Sequence, residues 1–317
     1  MPNYEPAFGL RDNPFSPRTF AGVGGGLLNG IEGEPLPLDE APALEPLFVP
    51  GAGPFQAAID RFDRFLEIGG YRDDDPGGNL DSRSFRIIGP EGSGKSTLAN
   101  MLVRRLKDCG HHGLTPIRAS AEDSQLAESI EAVEKKARQE PDGVCCVIFD
   151  DVRFGCERPL HDLHQSLRGT LRRPVVMFEI FHHAQDLGVP PPSDRARLDL
   201  EDLRTLWLTA DHAVAFLISR IELFRVTDSV FTDELATFPF DVAEVAELVG
   251  ESDGAEPGAF TLRSFSRLLS RGLGLEWMAR RDDAPIKDLP AEELAARRIS
   301  LKTFYDHRVE EQAGAWG

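Results

Sequence analysis

The chain has 317 residues with a formal net charge of −18, 41% hydrophobic and 28% charged residues, the make-up of an ordinary folded protein long enough for a main domain and a smaller one. The acidic balance argues against a large nonspecific nucleic-acid surface, because such binding is driven by Lys and Arg displacing counterions from phosphates. The most apolar runs, at 144–149 and 175–181, are strand-sized rather than membrane-spanning, so no membrane span is expected.

The opening MPNYEPAFGL lacks the basic-then-apolar pattern of a secretory signal, and a cytoplasmic protein is expected. Cys109, Cys145, Cys146 and Cys156 show no metal-ligand spacing and read as small buried hydrophobes rather than a disulfide framework. Arg172-Arg173 and Arg280-Arg281 are isolated basic pairs, better read as solvated helix ends than as a basic patch.

Residues 1–80 are rich in Pro and Gly, with clusters at 22–26 and 34–46. That composition resists a packed core, and an acidic N-terminal arm is expected. One helix interrupts it at 55–68, where Ile59, Phe62, Phe65 and Leu66 recur at helical spacing. DDDPGGN at 73–79 reads as a loop.

From Phe85 the pattern alternates strand and helix, which implies parallel strands joined by crossover helices. Strands are expected near 85–89, 114–119, 144–150, 175–181 and 197–200, with helices at 95–109, 122–140 and 159–173. Ser120 is a candidate N-cap for the second helix, and Pro141-Asp142-Gly143 a stop. After Leu200 helical periods take over, at 210–226, 241–249, 260–271 and 292–305. The expected fold is α/β, a parallel five-stranded sheet with flanking helices followed by a small all-α domain. The expected divisions are an arm at 1–80, a core at 81–205, a helical domain at 206–275 and a helical extension at 276–317.

GPEGSGKST, comprising Gly89, Pro90, Glu91, Gly92, Ser93, Gly94, Lys95, Ser96 and Thr97, has the spacing G-x-x-x-x-G-K-[ST] of a phosphate-binding loop. Backbone N–H groups wrap phosphates in such a loop, and glycine is needed where a Cβ would obstruct the turn. Lys95 is expected to reach the β- and γ-phosphates, and Ser96 to ligate Mg²⁺ at the positive end of the following helix. The apolar run FRII before the loop and STLANMLVRRL after it supply the strand and helix the motif requires. The expected sheet is therefore that of a P-loop NTPase, with ATP or GTP as its nucleotide.

An acidic residue ending an apolar strand completes such a site. VCCVIFDD supplies it: Asp150 is the candidate metal ligand and Asp151 the candidate base toward the attacking water. A helix and strand at 114–140 separate the two motifs. That insertion is typical of ATPases with an extra strand between the P-loop strand and the metal strand.

With these residues in view, 85–272 resembles the AAA+ superfamily, and ATP with Mg²⁺ becomes the implied cofactor. FGLRDNPFSP at 8–17 resembles an N-terminal motif of bacterial secretion and transposition ATPases. RARLDLEDL at 195–203 resembles the last core strand of that group and of the origin-recognition branch, and 238–273 resembles a helical lid. The resemblance implies that Arg263 contacts the γ-phosphate from the lid, and that Arg195 or Arg197 is presented to a neighbouring subunit. Most AAA+ enzymes carry Glu after the metal-binding Asp, whereas this chain has Asp151, one methylene shorter; FDDV here resembles slow signal-transduction switches. The polar residue at the end of the fourth strand is Glu179 or His182, and the His182-His183 pair reads as loop surface.

The leading expectation is an ATPase whose nucleotide state controls self-assembly, as a homo-oligomer, or a protein partner. A slow or nonhydrolysing switch is the alternative. A DNA-loading ATPase is disfavoured by the acidic charge, and a small-molecule kinase by the helical domain.

Overall fold

The computed structural model describes residues 4–15, 55–68, 82–89, 91–111, 113–121, 126–139, 143–152, 156–181, 200–204, 208–226, 237–250, 260–280, 282–283 and 285–305, with the backbone alone at 200–204. In chain order the elements are α1 (Glu5–Phe8), α2 (Gln56–Ile68), β1 (Arg83–Ile88), α3 (Lys95–Asp108), β2 (Ile117–Ser120) and α4 (Leu126–Gln139). There follow β3 (Cys145–Val152), α5 (Glu157–Thr170), β4 (Val175–Phe181), β5 (Leu200–Arg204), α6 (Ala210–Phe224), α7 (Val242–Gly250), α8 (Leu262–Arg280) and α9 (Ala291–Ala296). These fall into two compact units, one holding the described residues from Phe55 to Arg204, the other those from Tyr4 to Phe15 and from Leu208 onward.

The first unit is a parallel sheet in the order β2-β3-β4-β1-β5. Every residue of β4 is buried, as is β1 from Ser84 to Ile88, because helices cover both faces of a parallel sheet and leave no side for water. That is why these strands read as continuous apolar runs. On one face α4 and α5 pack Val133, Ala137, Leu160 and Leu163 against Cys145, Val147, Phe149 and Met177. On the other, α2 sets Phe62 against Phe85 and Phe178, with ring centroids 5.1 and 5.7 Å apart, and Phe65 against Phe85 at 5.1 Å. Such ring pairs contribute about 0.5–1.5 kcal/mol each beyond the area they bury. Asp63 pairs with Arg105 at 3.1 Å and ties α2 to α3.

A charged cluster interrupts this apolar interior. Glu179 of β4, 2% exposed, accepts from Ser84 Oγ at 2.8 Å and pairs with Arg86 Nε at 3.3 Å. Arg86 also lies over the Phe181 ring, 5.7 Å from its centroid. Burial pushes the Glu179 carboxyl above its ordinary range, against the opposing pull of Arg86 and Ser84.

In the second unit, Tyr4–Phe15 is built into the helices. Leu10 bridges Arg225, Arg11 N–H donates to the Phe224 carbonyl, and Val226 N–H donates to the Gly9 carbonyl. Asn13 Nδ2 donates to Ser270 Oγ at 3.1 Å, its Oδ1 accepts from Phe15 N–H, and Ser266 Oγ donates to the Phe15 carbonyl. Phe8 and Leu10 are fully buried. Thr209 caps α6 through His212 N–H, and Asp241 caps α7 through Ala243 and Glu244 N–H.

Several boundaries differ from expectation. Ser120 does not cap a helix: it closes β2, and α4 is described from Leu126, with 122–125 outside the described residues. The last strand is described at Leu200–Arg204, pairing along β1 from Ser84↔Leu200 to Ile88↔Arg204, while 197–199 of the expected strand lie outside the described residues. α8 continues past 271 to Arg280, through Gly272, against which the Phe304 ring packs. The helix expected at 292–305 is two pieces. Ile299 leaves the helix to bridge Phe240, donating its N–H to the Pro239 carbonyl at 2.7 Å. Glu244 then accepts the N–H groups of Leu301 and Lys302 and restarts the helical turn. The clusters at 22–26 and 34–46, the loops at 73–79 and 141–142, Arg195, Arg197, His182 and His183 lie outside the described residues.

Candidate functional site

β1 delivers the chain to Gly89, and the loop that follows leads into α3 at Lys95. Gly92 and Gly94 have φ of 74° and 90°, a left-handed backbone that a Cβ resists. Two of the motif's glycines are thus demanded by the turn itself. Pro90 lies outside the described residues; Glu91 is exposed and Ser93 is 1% exposed. Gly94 is the N-cap of α3, so the first-turn N–H groups of Lys95, Ser96 and Thr97 have no carbonyl one turn earlier within the helix.

Lys95 is buried at 7% exposure and its Nζ donates to the Gly89 carbonyl at 2.9 Å. The cation therefore lies across the mouth of its own loop. Ser96 Oγ donates to Asp150 Oδ2 at 3.0 Å, and Asp151 N–H donates to Asp150 Oδ1 at 3.0 Å. Both oxygens of the Asp150 carboxylate are held. β4 lies between β1 and β3, which separates the two motif strands by one strand while their C-terminal ends meet at the Ser96–Asp150 bond.

A hydroxyl and a carboxylate in hydrogen-bond contact are the hard oxygen donors that Mg²⁺ takes in phosphate sites, where it binds through one or two protein oxygens, substrate phosphates and waters. The residues present fit that ion. Among the described residues no group of three or more His, Cys, Asp or Glu is placed to hold a metal.

Three features were not foreseen in the sequence. Asp151 has φ of 56°, an uncommon backbone for any residue with a Cβ. Ser120 stands opposite Asp150 in the sheet register. Glu179, an open candidate for the polar residue at the end of the fourth strand, is engaged inside the sheet with Arg86 and Ser84. Only the adjacency of two acids hinted at the first. Arg263 lies in the first turn of α8, half-buried, in the helical unit. Among the described residues no helix is long and apolar enough to cross a membrane.

The sequence matches no protein-family model and no curated protein. The fold is shared with solved structures. The Aeropyrum pernix ORC1 protein, solved in complex with DNA, is 19% identical with a TM-score of 0.51, over 84% of this chain and 68% of that one. The Aeropyrum pernix ORC2 protein is 16% identical with a TM-score of 0.46, over 80% and 69%. A Rhizobiales Trip13 is 16% identical with a TM-score of 0.44, over 78% and 89%. The likeness to ORC1 shows that this chain shares the fold of that protein.

Proposed function

We propose that this chain is an AAA+ ATPase, that it binds ATP with Mg²⁺ at Gly89–Thr97 and hydrolyses it, and that nucleotide state controls self-assembly or a protein partner. The observation that carries the reading is the Ser96–Asp150 hydrogen bond beside a buried Lys95. Backbone N–H groups from Gly89 to Thr97 wrap the phosphates, and Lys95 exchanges the Gly89 carbonyl for phosphate oxygens. Ser96 and Asp150 hold Mg²⁺, which when bound neutralises and orients those oxygens. Asp151 takes a proton from the water that adds to the γ-phosphorus as the bond to the β-phosphate oxygen breaks. Lys95 stabilises the charge left on ADP.

Asp151→Asn tests the hydrolytic part. The variant is expected to bind ATP like wild type, because Asp150 and Ser96 remain, and to lose about 100-fold in turnover, the usual scale for a missing general base. Steady-state phosphate release measures this, and a variant as fast as wild type removes Asp151 from the role. The short Asp151 supports a second reading, a slow nucleotide switch; a wild type with no turnover at saturating Mg-ATP selects it.

Residues 206–275 act as the lid in this proposal, and Arg263 reads the γ-phosphate. That phosphate is the only group distinguishing ATP from ADP, so a state change must use contacts that differ with it. ATP is expected to promote association, and Arg263→Ala to abolish the response with ADP affinity nearly unchanged. Light scattering of the apo, ADP and ATP forms, alone and with cell extract as a source of partner, reads the outcome. Equal mass in all three forms with no nucleotide-dependent partner leaves a monomeric nucleotide-binding protein. The ORC1 neighbour is a DNA complex, but a net charge of −18 opposes a broad phosphate-backbone interface here; a gel shift at low salt tests that function directly.

A further inference from the structure

β3 gains one residue on β4 at the end of its pairing. Phe149 pairs with Glu179 and Val152 with Phe181, so β3 advances three positions while β4 advances two. Asp150 and Asp151 together oppose Ile180, which is a β-bulge. On its other side β3 remains regular, with Ser120 opposite Asp150 and Ala121 N–H donating to the Asp150 carbonyl. The irregularity is confined to the two acids.

The bulge changes which residues enter the core. In an unbroken strand, residues two apart share a face, so Asp151 would follow Val147 and Phe149 into the apolar layer under α4 and α5. Val152 would turn out beside Asp150. Instead Val152, 1% exposed, joins Val147 and Phe149 in that layer, and Asp151 is half-exposed at the strand end. The left-handed turn at Asp151, φ 56°, makes the switch. At the same bulge the Asp151 N–H donates to Asp150 Oδ1, leaving Oδ2 for Ser96.

We infer that Asp151 is a positioning residue as well as the proposed base: the bulge it completes presents its N–H to the metal-binding carboxylate of Asp150, and the left-handed backbone that the bulge requires is why the position carries Asp rather than Glu. Among residues with a Cβ, Asp and Asn adopt this conformation most readily, because a short polar side chain bonds locally, whereas longer chains gain no such bond. The shorter carboxylate is the residue the bulge accepts. This deepens the reading of the P-loop site and rests on it for the metal.

Two charge-matched comparisons test the inference. Asp151→Gly, Asp151→Asn and Asp151→Ala all remove the charge, but only Gly and Asn suit the left-handed backbone. Asp151→Glu keeps the charge and should not suit it. The readouts are the thermal unfolding midpoint and the affinity for Mn²⁺ by electron paramagnetic resonance in the presence of a nonhydrolysable ATP analogue. Gly and Asn are expected to unfold above the midpoint of Ala, with Gly shifting the folding equilibrium by about fivefold or more relative to Ala, and to bind Mn²⁺ several-fold tighter than Ala. Glu is expected to fall below wild type in midpoint, in Mn²⁺ affinity and in turnover. A Glu variant equal to wild type in midpoint and Mn²⁺ affinity overturns the inference, as does a neutral series in which Ala, Gly and Asn coincide. If wild type itself does not turn over ATP, the hydrolytic reading fails alone, since midpoint and Mn²⁺ affinity still decide the role of the backbone. Mn²⁺ binding that is absent in wild type refutes the site and this role together.

Discussion

Lys95→Ala is expected to remove detectable ATP binding while leaving the protein folded. Lys95 is the only positive side chain in the loop, and its Nζ already occupies a polar position, donating to the Gly89 carbonyl at 2.9 Å. A charge-assisted hydrogen bond contributes about 1.5–3 kcal/mol, so losing two contacts to β- and γ-phosphates weakens binding by at least about 100-fold. The fold is less exposed to the change. Alanine removes the buried ammonium together with its need for a partner, and the Gly89 carbonyl is left beside an open loop that water can enter. Isothermal calorimetry measures the affinity, and circular dichroism the fold. A folded variant with unchanged affinity removes this loop from nucleotide binding.

What could be read in advance follows from how local each constraint is. Gly92, Gly94, Lys95 and Ser96 act within one turn, where glycine is required by positive φ and the donors by the helix N-terminus. That chemistry is written at fixed spacing. The meeting of Ser96 with Asp150 across 54 positions was also legible, because parallel strands place their C-terminal ends together. The strand and helix types followed from periodicity, yet the end of the chain did not. Nothing in the sequence at 292–305 shows that Ile299 leaves a helix for Phe240, because that choice belongs to a partner more than 50 residues away. FGLRDNPFSP could be recognised as a motif but not explained. Asn13 meets Ser270 only once α8 has been placed, and Leu10 finds Arg225 only at the end of α6. The bulge at Asp150–Asp151 was invisible for a related reason, since register is a property of two strands and not of one.

Glu179→Ala is expected to destabilise the protein by about 3–5 kcal/mol, the usual result of leaving one member of a buried ion pair without the other. Arg86 and Glu179 are 6% and 2% exposed at their side chains and 3.3 Å apart, so little water reaches the guanidinium once the carboxylate is gone. Ser84 Oγ loses its acceptor in the same step. The double variant Arg86→Met with Glu179→Leu is expected to recover most of that loss, because apolar side chains of similar volume need no counter-charge and the core already holds Ile88, Met177 and Phe181 on these two strands. Urea unfolding of wild type, both single variants and the double variant closes the cycle, with a coupling of at least 2 kcal/mol expected for residues in direct contact, near the upper part of the roughly 0.5–3 kcal/mol range. Additive single effects would mean that the charges do not support one another. ATP affinity in the double variant carries a separate consequence. Arg86 lies on β1 two residues before Ile88, the last residue of the strand leading into the loop at Gly89, so a pair that serves only the sheet leaves affinity unchanged once stability is restored. A fall in affinity with stability recovered would mean that the Arg86–Glu179 pair sets the position from which β1 launches the P-loop.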